Sequence, residues 1–406
     1  MHASPAEPRA TSQSVQPHVT QPPQPHAAQP SRATQTARVR HGGKPRRTQA
    51  SARSYDLLSR YRSALMGVAI LLVIAYHWTE DFSNYYDDAF DGPAQTFYRY
   101  VGSSGVDVFL VLSGIGLYYS WRRRPDARSF YRKRMSRVLI PYAIVALIGW
   151  IWADFVHAHA GMVRFLGDIT FVTFFTDGVR WFWYVLVSFI CYAIFPKVFA
   201  ALDGAADDTA AWLRTLLLCS LCLVLIVMLD LYEPDLYGNI DLAVNRIPSF
   251  IVGCLFGRLA YEHATFSMGG VCAGFTLVAV LLYPLQMATT PVIDMLLRAL
   301  LMVLACFIAV VLFDRMASGG AVVRRIHGAM TGVLSWCGRY SLELYLLHVM
   351  VRKMMRYDTI HPLNELFLIA VSVALAIPLK WISSLLQRRV DGTAAAAKAP
   401  HNMSDR

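Results

Sequence analysis

A chain of 406 residues is long enough for two or three soluble domains, yet 55% of it is hydrophobic, only 16% is charged, and its mean hydropathy is +0.39. A water-facing surface does not tolerate that balance, so most of the apolar area must face lipid. The formal net charge of +11 is concentrated in the first sixty residues and in the stretch Arg122 to Arg137, with no nucleic-acid-binding motif beside it, which argues against a DNA- or RNA-binding class.

Residues 1–55 repeat Pro, Gln, Ser, Thr and Ala, with Arg and Lys thickening toward RVRHGGKPRRTQASAR. This composition cannot bury a core, so a disordered basic arm is expected, lying on the cytosolic side where it can touch anionic lipid. It carries no apolar run followed by a small-residue cleavage site, so it is expected to persist. A membrane domain is expected over 56–390 and a disordered tail over 391–406.

Within that domain, apolar runs recur, each long enough to cross a hydrocarbon core about 30 Å thick at about 1.5 Å per residue. Spans are predicted near 63–79, 101–121, 138–156, 181–201, 211–231, 245–262, 268–287, 296–316, 332–353 and 363–387. The fold class is therefore all-α, a polytopic membrane protein with about ten transmembrane helices. The segment GDITFVTFFTDGVRW is only partly apolar and reads as re-entrant or interfacial, which leaves nine or eleven crossings open.

Loop charge sets the expected orientation. The basic arm and WRRRPDARSFYRKRMSR belong in the cytosol, whereas TEDFSNYYDDAFDGP and YEPDLYGNID are acidic and suit the exterior. Both termini are then cytoplasmic in a multi-pass protein of the plasma membrane. Arg352, Lys353 and Arg356 fall outside in this scheme, a local violation of the charge rule. The seven cysteines are scattered through or beside apolar segments and read as small buried hydrophobes, including the CxxC-spaced Cys219 and Cys222. No metal site is expected.

Ionisable groups inside spans are costly, so each one kept there is a functional candidate. His77 falls near the outer end of the first span, Asp107 in the outer half of the second, and Glu343 and His348 in the outer half of the ninth. Ser341, Tyr345 and His348 are spaced i, i+4, i+7 and share one helix face, while Glu343 points away from it. His77, Asp107 and His348 share a depth, which allows a cluster. An imidazole held by a carboxylate can take a proton from a hydroxyl that attacks an acyl carbonyl, the chemistry of acyl transfer to oxygen. The same groups can instead hydrogen-bond one another merely to hold helices together.

The stretch Arg122 to Arg137 places eight basic residues in sixteen positions. It signals topology, and its guanidinium groups also suit the phosphates of coenzyme A. No glycine-rich phosphate loop of Walker or Rossmann type occurs, which argues against a nucleotide-driven pump.

Five ordered blocks, RSALMGVAILLVIAYHW, GSSGVDVFLVLSGIGLYYSW, FYRKRMSRVLIPY, WFWYVLVSFICYAIFP and SLELYLLH, together with the weaker RIPSFIVGCLFGR, resemble the acyltransferase 3 family over residues of about 60 to 350. The family's members are integral membrane enzymes that O-acylate polysaccharides, lipids and other glycans, commonly from acetyl-CoA. The resemblance implies an O-acetyltransferase with acyl-CoA as donor, no metal, and a glycan or glycolipid acceptor at the membrane. It assigns His77 as the base and matches Asp107 and Ser113 to the second block. Arg132 and Arg134 match the basic block linked to donor binding, which also contains Arg137, and Glu343, Tyr345 and His348 match the last block. The family's first-span arginine slot holds Met66, and Arg62 lies one helical turn earlier, about 22 Å along the axis from His77. Two rival readings stand beside this one. A transporter or flippase for a lipid-linked sugar would line a pathway with the same charges, and a scaffold of the same fold without catalysis would explain Met66.

Overall fold

The computed structural model describes residues 52–86, 101–286, 291–355 and 363–396. Residues 1–51 of the expected basic arm, part of the acidic loop after the first span, Arg356, and residues 397–406 of the expected tail lie outside the described residues.

The described chain is helical apart from one two-stranded ribbon. β1 (Ala52–Ser54) pairs antiparallel with β2 (Thr265–Ser267), Arg53 opposite Phe266. α1 (Asp56–Arg60) leads into α2 (Arg62–Tyr86), the first long apolar helix. α3 (Gly105–Arg123) returns, and a short turn delivers the chain to α4 (Ala127–Trp150), which continues as a wider π-helical segment, Ile151–His157. The Asp126 side chain accepts from the Arg128 N–H at 3.2 Å and caps α4. Much of the basic stretch expected as a loop is therefore helix, and its charges sit at fixed angles.

α5 (Gly161–Ile169) and α6 (Val172–Thr176) are too short to cross a bilayer. α7 (Trp183–Asp203), α8 (Asp208–Tyr232), α9 (Pro234–Val244) and α10 (Ile247–Tyr261) follow, then α11 (Met268–Gln286) and α12 (Pro291–Ala317). α13 (Ala321–Arg339), α14 (Ser341–Met355) and α15 (Leu363–Ala396) complete the bundle. Among the described residues, eight helices are long and apolar enough to span a membrane, with 9 and 10 acting as one continuous crossing from Pro234 to Tyr261.

The predicted ninth span, 332–353, is not one helix. It divides at Tyr340, where the Arg339 carbonyl at the end of α13 takes a hydrogen bond from Lys380 Nζ. Terminal carbonyls lack partners in their own helix, so a side chain arriving at this point lets the chain bend. α15 runs on through Ala396, past the expected boundary at 390, and β1 begins before the one at 56.

Two helix crossings are tight because glycine supplies no side chain. A Cβ on Gly253 would meet the Val111 carbonyl, and one on Gly257 would lie 2.6 Å from Tyr118 Cβ, so α10 lies directly against α3. Gly67 and Gly338 bring α2 and α13 equally close at Leu334 and Ser63. In lipid, where apolar burial offers little driving force, such close approach is what holds helices together. Arg258, buried on α10, donates to the Leu202 and Ala205 carbonyls at 2.7 and 3.2 Å and so closes the end of α7. α8, in contrast, is little buried and turns most of its surface outward.

Candidate active site

The end of the bundle where α3 meets α4 carries Arg122, Arg134 and Arg137 and is termed the basic end; the other, where α2 carries His77, is the far end. A cavity opens at each.

The basic-end cavity has a volume of about 330 Å³ and is lined by Arg62 and Met66 of α2, Phe109 and Ser113 of α3, Arg134 and Arg137 of α4, and Tyr184, Ser188 and Tyr192 of α7. Arg339 closes α13 there, Ser341, Glu343 and Tyr345 come from α14, and Lys380 and Gln387 from α15. Arg134 and Arg137 are three residues apart on α4 and face the same way, whereas Arg132 is two positions from Arg134, turned to another side, and does not line the cavity. Arg62 Nε donates to the Leu112 carbonyl at 2.9 Å, and Gly116 leaves room for the guanidinium: a Cβ there would lie 2.8 Å from Arg62 Nη2. Arg62 and Met66, which fills the family's arginine slot, thus open on one chamber.

Glu343 is buried and receives Lys380 Nζ at 3.2 Å. This corrects the expectation that Glu343 shares the outer half of a span with His348. The break at Tyr340 starts α14 beside the basic-end cavity, so Glu343 faces the cationic chamber while His348, five residues on, belongs to the far end.

The far-end cavity has a volume of about 270 Å³, lined by Tyr76, His77 and Glu80 of α2, Trp183 of α7, Arg246, Tyr345, and Val349, Arg352 and Lys353 of α14. His77 Nδ1 lies 3.0 Å from Nε2 of the fully buried His348, and the two rings are nearly parallel with centroids 5.1 Å apart. Arg352 sits one turn beyond His348. It grips Asp81 through Nε at 2.6 Å and Nη2 at 2.5 Å, and Glu80 at 2.7 Å. α14 is thereby bound to α2 beside the histidine pair.

The expected trio of His77, Asp107 and His348 is divided. Asp107 accepts from Ser249 Oγ at 2.7 Å and faces Arg246 Nε at 3.6 Å, all three groups buried. Arg246 also reaches the Ser103 carbonyl at 3.1 Å and lies over the Trp183 ring at 5.0 Å. The carboxylate therefore anchors an arginine of the far-end wall, and the group facing His77 Nδ1 is a second imidazole.

Sequence reasoning passed over Lys380, Arg246 and the carboxylates at 80 and 81. Lys380 lies in the final span, outside every motif block, and its only signal was being an ionisable group inside an apolar run. Arg352 carried a further one, since its breach of the charge rule disappears once it is paired with Glu80 and Asp81.

Long apolar helices enclose one cationic and one histidine-bearing chamber, the build of a multi-pass membrane protein. A family model described as an acyltransferase domain matches residues 64–385, most of the chain, and the protein belongs to the acyltransferase 3 family. No curated protein and no solved structure matches it.

Proposed function

We propose that the protein moves an acyl group, acetyl in the first instance, from acyl-CoA to a hydroxyl of a cell-surface glycan or glycolipid, working in the plasma membrane with both termini in the cytoplasm. The observation that carries this reading is the pair of chambers in one bundle, cationic at the basic end and bearing His77 at the far end. Coenzyme A presents phosphates, and Arg134, Arg137 and Arg62 supply forked donors that match them.

His77 acts as base through its Nε2. If its Nδ1–H donates to His348 Nε2, Nε2 is the ring nitrogen that carries the basic lone pair. As the acceptor oxygen bonds to the thioester carbonyl carbon, its proton passes to His77 Nε2. When the C–S bond breaks, the thiolate takes that proton and leaves as free thiol. His348, held in place by burial and by the Arg352 clamp one turn away, stabilises the imidazolium through the same hydrogen bond.

His77→Ala should reduce transfer of labelled acetyl from acetyl-CoA to surface glycan by about 10²–10⁴-fold while the membrane content of the protein is unchanged. Full transfer by that variant would remove His77 from the chemistry, and absence of labelled glycan in cells that carry the native protein would remove the reading as a whole.

A further inference from the structure

Two cavities in one bundle raise the question of what lies between them, and among the described residues one side chain, Tyr345, lines both. Its neighbours mark the same boundary: Tyr184 opens on the basic-end cavity and the adjacent Trp183 on the far-end cavity. Tyr345 is 4% exposed, and its ring meets that of Tyr184 edge-on at 5.4 Å. Its hydroxyl accepts the Tyr184 backbone N–H at 3.4 Å, a first-turn donor of α7 for which its own helix provides no acceptor. That bond is at the long limit for a hydrogen bond and holds the ring weakly.

The backbone on either side is held more firmly. Two residues earlier Glu343 is tied to Lys380, and seven residues later Arg352 is locked to Asp81 and Glu80. Tyr345 is thus a bulky, core-packed ring on a fixed stretch of helix, touching Tyr184 through one long hydrogen bond and one ring contact, where the two chambers abut.

We propose that Tyr345 is the septum between the two chambers and that its ring sets the length of the acyl chain admitted. The proposal rests on the acyltransferase reading for its substrate, and deepens it. A thioester whose phosphates lie among Arg134 and Arg137 must bring its carbonyl to the junction to meet a hydroxyl activated at His77. Any chain beyond that carbonyl then competes with the Tyr345 ring for space. An acetyl group asks little of it, and a longer chain asks for the volume the ring fills.

Two measurements test this. In the first, Ser341→Cys places a thiol in the basic-end cavity of the full-length protein in sealed vesicles, probed with a membrane-impermeant thiol reagent from either face, the unmodified chain giving the background of its seven cysteines. Labelling from the basic-end face alone is expected. Adding Tyr345→Ala should open labelling from the far-end face as well, with basic-end labelling retained as the sign of an intact fold. One-sided labelling in both backgrounds, or no labelling of Ser341→Cys from the basic end, overturns the septum. Tyr345→Phe, which keeps the ring, should stay one-sided.

In the second, transfer is measured with acetyl-, hexanoyl- and octanoyl-CoA. Tyr345→Ala should raise the hexanoyl-to-acetyl ratio of kcat/KM about tenfold or more, the discrimination expected of a pocket that gains methylene-sized room. An unchanged ratio overturns the chain-length role. No transfer by the native protein from any donor defeats the acyltransferase reading itself, and the labelling result then decides the septum by its own outcome.

Discussion

Arg352 is buried among helices and carries a full charge, a situation that lipid penalises unless the charge is matched. Asp81 and Glu80 match it with three hydrogen bonds of 2.5 to 2.7 Å, two of them from the forked guanidinium to one carboxylate. Arg352→Ala would strip a buried carboxylate of its forked donor, at a cost of about 3–5 kcal/mol. A clear fall in the thermal midpoint of the detergent-solubilised protein is the expected result. Arg352→Lys should recover only part of it, because an ammonium cannot form the paired geometry.

The arginines at the basic end divide by helical angle. On the proposed donor role, Arg134→Gln with Arg137→Gln should raise KM for acyl-CoA about tenfold or more with kcat little changed, since each would lose a charge-assisted hydrogen bond formed before chemistry. Arg132→Gln, on a different side of α4, should have the smaller effect. Steady-state kinetics with varied donor distinguishes the two variants, and equal effects would mean that the stretch acts only as a diffuse positive field.

At the scale of the element, glycine spacing decides which helices touch. Gly253 and Gly257 lie four apart on α10 and let the backbone of α3 approach at Val111 and Ile115. The same crossing carries Asp107 to Ser249 and so aligns the far-end wall. Gly253→Leu should therefore force the two helices apart and remove most folded protein from the membrane fraction, measured by size-exclusion profile and protease resistance. A leucine at Gly328, where nothing lies within 4 Å of an added Cβ, provides the comparison and should be accommodated.

The elements also show where periodicity misled. The run 332–353 has apolar stretches on both sides of its middle and reads as one span, yet α13 ends at Arg339 and α14 starts anew at Ser341. The polar run Gly338 to Ser341 lies at the break, and Lys380 arriving from α15 takes the freed Arg339 carbonyl. The stripe of Ser341, Tyr345 and His348 survives, because all three lie on α14, but the break moves its first members to the basic end. Tyr345 comes to stand between chambers for that reason.

For the whole molecule, the amino-acid order by itself determined the solvent, the class and the motif inventory. Apolar runs of bilayer length can be satisfied only by helices in lipid, and the ordered blocks around His77, Asp107, Arg134 and His348 are properties of the chain that need no coordinates. The pairing of the ionisable groups was decided only in three dimensions. His77 meets His348 across 271 positions, Asp107 turns to Arg246 and Ser249, and Glu343 finds Lys380. The physical reason is that helical spacing fixes which residues share a face of one helix, while partner choice among costly buried charges depends on which faces the glycine crossings and the bend at Tyr340 bring together.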